Sequence, residues 1–299
     1  MIKTRQEKNF QVLGNIVMMT VSLVAVIPMI LLLISSLTDN DSLIKYGYSF
    51  FPHKWSFYAY EYVFQTGNSV LHTYFNSFFI TGVGTLCSLA VTTMMAYMLS
   101  CKGLPGRGAL TFLVFFTMLF NGGLVPTYIN YTDVFHIKNT YFALLIPGLL
   151  MNAFNVLLMK SYFVTGVPDE ILEAAYIDGA GQFKTFYSVA LPMAKPIVAT
   201  IALFTGIAYW NDWMNGYIYL TSATNLYTIQ NLLNRMIQNI QFLTTSSSLS
   251  AQSNIGLAAI PVVAVRMSMA VMGVLPVVII YPFIQNNFVK GITLGGVKG

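Results

Sequence analysis

Charge is scarce in this 299-residue chain. Only 8% of its residues are Asp, Glu, Lys or Arg, against about a quarter in soluble domains. With 56% hydrophobic residues and a mean hydropathy of +0.66, a water-soluble fold would expose far too much apolar surface. That shortage excludes a soluble globular protein. Cysteine is scarcer still: Cys87 and Cys101 stand alone, which excludes a disulfide framework and a cysteine-based metal site. His53, His72 and His136 are scattered, with no second ligand at helical spacing, so no metal site is expected. The chain has no GxxxxGKS/T phosphate loop, no HExxH pair, no nucleophile elbow and no convincing pair of buried carboxylates. Neither enzymatic chemistry nor ATP binding of that kind is therefore expected of it. The net charge of +5 is not a nucleic-acid footprint, because the basic residues fall mainly in alternate loops.

What the chain has in abundance is long apolar runs. A helix needs about 20 apolar residues to cross the hydrocarbon core. Six stretches qualify, at 12–37, 74–100, 109–129, 140–162, 195–220 and 262–288. Long continuous runs predict helices, which satisfy their own backbone, rather than the short alternating strands of a barrel. Basic residues precede the first run, as in a signal peptide. That run is too long for an ordinary signal core and no small-residue cleavage site follows it, so it is expected to be an uncleaved first span. The fold class is thus all-α, a polytopic membrane protein with six transmembrane helices, read as a single domain over 1–299.

Lys and Arg set the orientation. With the N-terminus inside, the cytoplasmic regions hold Lys3, Arg5, Lys8, Lys102, Arg107, Lys160, Lys184, Lys195, Lys290 and Lys298. The outer regions, longer in total, hold Lys45, Lys54, Lys138, Arg235 and Arg266. Both termini are expected in the cytoplasm. The outer segment 38–73 contains YGYSFFPHKWSFYAYEYVF, whose rings suit the membrane–water boundary or a docking surface. The last outer region, 221–261, carries TTSSSLSAQSN at 244–254 and is expected to be an exposed flexible loop.

Between the fourth and fifth runs lies VPDEILEAAYIDGAGQFKTFYSVALPMAKP, residues 167–196. Pro168 suits a first helical position, and Asp169 and Glu170 favour the positive end of the helix dipole. Good helix formers continue through Ala175, and Gly179 and Gly181 stop the run. A second helix over 182–191 would place Phe183, Phe186, Tyr187, Ala190 and Leu191 on one apolar stripe. A connection of this length with built-in helices exceeds what two adjacent spans need. The pattern alone suits a docking element or an amphipathic helix lying on the membrane surface.

Glu173-Ala174-Ala175, then Asp178-Gly179-Ala180, then Leu191-Pro192 resembles the EAA loop of ABC importer permeases, here over 163–196. Asn76-Ser77, Trp210-Asn211-Asp212 and the ending FVKGITLGGVKG are similar to the carbohydrate branch and its smaller maltose-type permease. FNGGLVPTYI, residues 120–129, resembles the sub-branch handling complex oligosaccharides. The likeness covers about 70–299, with the first span matching more weakly.

The resemblance implies a permease subunit of a binding-protein-dependent importer that moves an oligosaccharide. ATP hydrolysis would occur on separate subunits. The implied assembly is this chain, a second related permease, two ATPase subunits and an extracellular solute-binding protein in a lipid bilayer, with no nucleic acid. No cofactor belongs to this chain, while ATP and magnesium belong to the ATPase. The loop would form a coupling helix seated in the ATPase. Glu173 would pair with a basic group there, Ala174 and Ala175 would allow close approach, and Gly179 would turn the second helix. Asp178, Leu191 and Pro192 complete the motif. The tail, 289–299, resembles one inserted between ATPase subunits, and its glycines let it run extended. By position, 244–256 corresponds to a loop that reaches the binding protein's sugar cleft in the maltose system.

Substrate-path candidates are the polar and aromatic groups within the spans: Asn121, Tyr128, Asn152, Asn155, Tyr209, Trp210, Asn211 and Asp212. Such groups face a cavity or bind neighbouring helices, and Asp212 could instead cap locally or pair with Arg235 or Arg266. A permease for a peptide or amino acid remains the alternative within the class. An ion-coupled transporter fits less well, since ionisable residues are nearly absent from mid-span.

Overall fold

The structure, a computed structural model, describes residues 5–66, 70–249 and 262–296. It is helical, and among the described residues the only β pairing is an isolated antiparallel bridge between Thr38 and Trp55. The basic residues Lys3 and Lys298, and residues 250–256 of the Ser/Thr-rich stretch, lie outside the described residues.

Three described helices are long and apolar enough to cross a membrane alone: Phe10–Ser36, Val70–Ser100 and Val262–Pro282. The number of spans rises to five if two sharply bent helix pairs each count as one. The chain divides into two compact units, one from 1–70 and 236–276, the other from 71–235 and 277–299.

In the first unit, helix α1 (Arg5–Ser36) has no residue buried within its apolar window, as befits a helix whose solvent is lipid. After it the chain folds back. Asp39 pairs with Lys54 at 3.2 Å, Ser36 and Tyr60 share a hydroxyl bond of 2.8 Å, and short helices α2 (Asn40–Tyr46) and α3 (Tyr58–Thr66) flank the turn. Tyr46, Tyr48, Phe51, Trp55 and Phe57 remain exposed on this segment. Asn40 Oδ1 accepts the backbone N–H of Val263 (3.1 Å) and Ala264 (3.4 Å). These are two of the unpaired donors that open the long C-terminal helix Val262–Gly296.

The second unit begins with α4 (Val70–Ser100). Here three predicted continuous spans are interrupted. The run at 109–129 divides into α5 (Arg107–Leu119) and α6 (Leu124–Ile129). The latter continues through a π turn to Val134, at a bend of 115°. Gly123, at φ +85°, takes a conformation costly for other residues, and Asn121 Oδ1 accepts its N–H at 2.8 Å. The run at 140–162 contains only α7 (Phe142–Leu145) and α8 (Ala153–Gly166), separated by Pro147 and Gly148, the latter at φ +71°. The run at 195–220 gives α12 (Lys195–Asn211) and α13 (Met214–Tyr219), broken at Asp212. Apolar composition predicts residence in the membrane; Pro, Gly and side-chain acceptors decide where the helix stops.

Two further expectations are corrected. In the outer region the described stretch Ile229–Leu249 forms helix α14 rather than an irregular loop. Thr228 Oγ1 accepts the Asn231 N–H, and Ile229, Leu233 and Met236 are buried at i, i+4 and i+7. That stripe outweighs the Ser/Thr composition at its far end. The tail is helical rather than extended as far as Gly296, because helix propagation continues through isolated glycines at a modest cost per residue.

Candidate functional site

The loop segment forms a compact helical hairpin. Pro168 holds extended backbone (φ −62°, ψ 135°), so the first helix, α9 (Asp169–Ile177), begins one residue later than expected. It ends in a Schellman motif. Gly179, at φ +78°, donates its N–H to the Tyr176 carbonyl (3.0 Å), and Ala180 donates to that of Ala175 (2.9 Å). The return limb runs through α10 (Gln182–Thr185), a π turn (Phe186–Ala190) and α11 (Leu191–Met193).

This hairpin is fastened to the bundle at both ends. Lys102, just beyond α4, pairs with Asp169, and that hydrogen bond and charge hold the Lys102 ammonium above its ordinary pKa. Near the turn, the Tyr176 hydroxyl donates to Gln182 Oε1 (2.9 Å), linking the two limbs, and lies 3.4 Å from the Tyr97 hydroxyl. The Tyr97 ring packs on Phe186 (centroids 5.0 Å apart) and Phe163 (5.7 Å), within a core shared with Leu172, Ala190 and Ala194.

The outer side of the hairpin is open. Glu173, Ala174, Asp178, Gly179 and Pro192 are exposed, while Ala175 and Leu191 are half-buried. The expected single stripe of the second helix is split. Phe186, Ala190 and Leu191 face inward, whereas Phe183 (83%) and Tyr187 (72%) are exposed beside Ile177 (87%). A π turn inserts an extra residue per turn and so rotates the limbs relative to a regular α-helix. Sequence periodicity could not register that insertion. The resulting surface has a carboxylate, small residues and large apolar side chains, as a protein partner would require.

The substrate-path candidates do not converge. Asn152 and Asn155 line one cavity of about 400 Å³, with Gly148, Leu149, Phe154, Phe204, Thr205 and Ala208 around them. Asn152 caps α8 by accepting the Asn155 N–H (3.2 Å), and the Asn155 amide lies 3.5 Å from Thr205 Oγ1. Thr205, Phe154 and Phe204 are not among the sequence candidates; Thr205 is one of two threonines amid the apolar residues of the fifth run, with Thr200, and that was the available signal. Trp210 is buried against Phe78 (5.2 Å), and Tyr209 donates its hydroxyl to the Leu145 carbonyl (2.7 Å). Asn211 is exposed at the end of α12. Asp212 accepts the N–H groups of Met214 (3.2 Å) and Asn215 (3.3 Å), a local cap. Arg235 engages Asn231 and the Leu220 carbonyl and lies over the Tyr227 ring. Asn121 closes its own turn, and Tyr128 stacks on Tyr219 (5.9 Å, 10°) under the Lys138 ammonium.

Known proteins with the same pattern are transport components. The chain is 34% identical over 279 residues to the polygalacturonan/rhamnogalacturonan transport system permease protein YtcP of Bacillus subtilis (strain 168), covering 93% of this chain and 94% of that one. It is 33% identical over 299 residues to protein LplC of the same organism, covering 100% and 98%. Its fold matches a chain from the crystal structure of a bacterial ABC transporter involved in the import of the acidic polysaccharide alginate. The TM-score is 0.76 and the identity 28%, with 96% of this chain and 99% of the other covered. The family described as the binding-protein-dependent transport system inner membrane component matches residues 7–294. With its apolar helices and its matched length, the chain belongs to that family and is a membrane permease component of a transporter, not an enzyme.

Proposed function

We propose that this chain forms half of the translocation path of an ABC importer for an oligosaccharide and couples that path to ATP hydrolysis through the hairpin 169–193. The observation that carries the reading is the hairpin itself, which contacts Lys102 just beyond α4 and packs on Tyr97 within it, while Glu173, Ala174 and Asp178 stay open. A short helix fixed at both ends moves with the bundle as a unit, which is what a coupling element must do. ATP and magnesium belong to the two ATPase subunits. A second, related permease and an extracellular solute-binding protein complete the assembly.

Six spans with both termini in the cytoplasm accommodate this arrangement. The bent pair 107–119 and 124–134 counts as a single crossing, α12 crosses beyond the hairpin, and the 140–162 run crosses as a broken helix whose irregular backbone borders the cavity. The tail from 289 faces the ATPase side. The cavity around Asn152 and Asn155 presents amide and hydroxyl groups beside two phenylalanine rings and has no charged lining residue. That chemistry suits sugar hydroxyls and the apolar faces of pyranose rings. The relative named for polygalacturonan and rhamnogalacturonan transport supports the carbohydrate class over a peptide.

The test is sugar-stimulated ATP hydrolysis by the complete complex in liposomes, comparing wild type with Glu173→Ala and Gly179→Pro across neutral and acidic oligosaccharides. Stimulation lost in both variants, with the complex still assembled, supports coupling through the hairpin, and the panel identifies the sugar. Stimulation that survives both changes rejects it.

A further inference from the structure

Two cations of the second unit lie one helical turn apart along α5, with no salt-bridge partner among the described residues. Lys160 of α8 donates its ammonium to Thr111 Oγ1 (3.0 Å) on α5, one helical turn beyond Arg107. Residues four apart share a helix face, so Lys160 is tethered to α5 one turn from Arg107 along the same face. Arg107 spends its Nε on the Leu99 carbonyl (2.8 Å), and its two terminal nitrogens have no partner among the described residues. Among the described residues neither cation has a carboxylate in salt-bridge contact, and Asp169 is engaged by Lys102.

The setting makes the missing anion costly. Arg107 is the first residue of α5, where the helix dipole is positive and disfavours a cation, and Gly106 offers no side-chain cap. Both cations are half-buried at the end of a membrane helix, where an unpaired charge is expensive. Along the same edge of α5, the row Arg107–Thr111 continues to Phe115 (42% exposed) and Met118 (47%). The site is therefore cationic at one end and an open apolar track along the rest.

We propose that Arg107 and Lys160 bind the phosphodiester of an anionic phospholipid, with an acyl chain lying along Phe115 and Met118. Basic pockets between membrane helices hold anionic headgroups in this way. The apolar track favours a lipid over free phosphate, which would leave that row uncovered. This inference is independent of the coupling reading.

The complete transporter, stripped of lipid in detergent, is offered phosphatidylglycerol, phosphatidylcholine or inorganic phosphate. Retained lipid is counted by native mass spectrometry, and the thermal midpoint is followed in parallel. Wild type should retain phosphatidylglycerol about tenfold better than phosphatidylcholine. Arg107→Gln/Lys160→Gln should lose that preference, and Arg107→Lys/Lys160→Arg should keep it, which separates charge from folding. A phosphatidylglycerol preference in the Gln variant unchanged from wild type overturns the site. Equal protection by inorganic phosphate overturns the lipid assignment. Loss of a partner subunit from the Gln variant with lipid preference unchanged assigns the counter-charge to a protein carboxylate and likewise overturns it.

Discussion

Tyr209 occupies the notch that Gly84 leaves on α4. A Cβ placed at Gly84 would lie 2.6 Å from the Tyr209 ring, and that ring is anchored by its hydroxyl to the Leu145 carbonyl (2.7 Å). The ring is 2% exposed, so it has nowhere to move. Small residues allow membrane helices to approach this closely. Gly84→Ala should therefore destabilise the second unit by about 1–3 kcal/mol, read as a lower thermal midpoint of the purified complex. Adding Tyr209→Leu should recover part of the loss. If Gly84→Ala is neutral, the Tyr209 ring does not pack this closely on α4.

Asn76, fully buried, ties three segments of the second unit together. Its amide donates to the carbonyls of Asn225 (2.7 Å) and Tyr227 (3.2 Å), and its carbonyl accepts the Tyr141 hydroxyl (3.2 Å). Next to it, Ser77 Oγ accepts the Ile229 N–H (2.8 Å) at the start of α14. Asn76→Leu keeps the approximate volume but strands the Tyr227 carbonyl and the Tyr141 hydroxyl, while the Asn225 carbonyl keeps its bond to the His72 ring (2.9 Å), and should cost about 3 kcal/mol. The expected result is an earlier thermal transition and faster proteolysis near 225–229; Asn76→Asp should be milder than Asn76→Leu.

Asn155→Leu tests the cavity. The change removes an amide from the lining and fills part of the space, without touching the hairpin. Loss of one or two sugar hydrogen bonds predicts about tenfold slower oligosaccharide uptake, with the complex intact and its basal ATP hydrolysis unchanged. Unchanged uptake would place this cavity off the sugar's path.

The Lys102–Asp169 pair predicts a pH signature. Its folded-state pKa is raised, first by the Asp169 hydrogen bond and then by that carboxylate's charge. The contribution is therefore fully present below the unfolded lysine value and lost as pH rises through the higher folded value. With Asp169 ionised, the difference in thermal midpoint between wild type and Lys102→Gln should be flat through neutral pH. It should vanish only in the strongly alkaline range. Both side chains are exposed, so the difference should be small and should shrink with added salt. A difference that disappears near neutrality would show that the pair does not form.

The membrane class and the hairpin were legible in the sequence, because each rests on local chemistry. Eight per cent charge and long apolar runs demand lipid. Pro168, the acidic first turn and Gly179 specify a helix that starts and stops where it does, to within a residue. Tertiary structure decided how the apolar runs break. A helix can end inside such a run only if the freed backbone groups find partners, and those partners are distant in sequence. The Asn215 amide donates to the Pro147 carbonyl (2.9 Å), and Asn139 Oδ1 accepts the N–H groups of Thr221, Ser222 and Ala223. Tertiary structure likewise brought Asn152 and Asn155 against Thr205, while leaving Trp210 buried and Asp212 a cap. Hydropathy sums along the chain and so identifies the solvent of each segment. The partner of each polar group inside that solvent is set by packing between segments, which no sum along the chain contains.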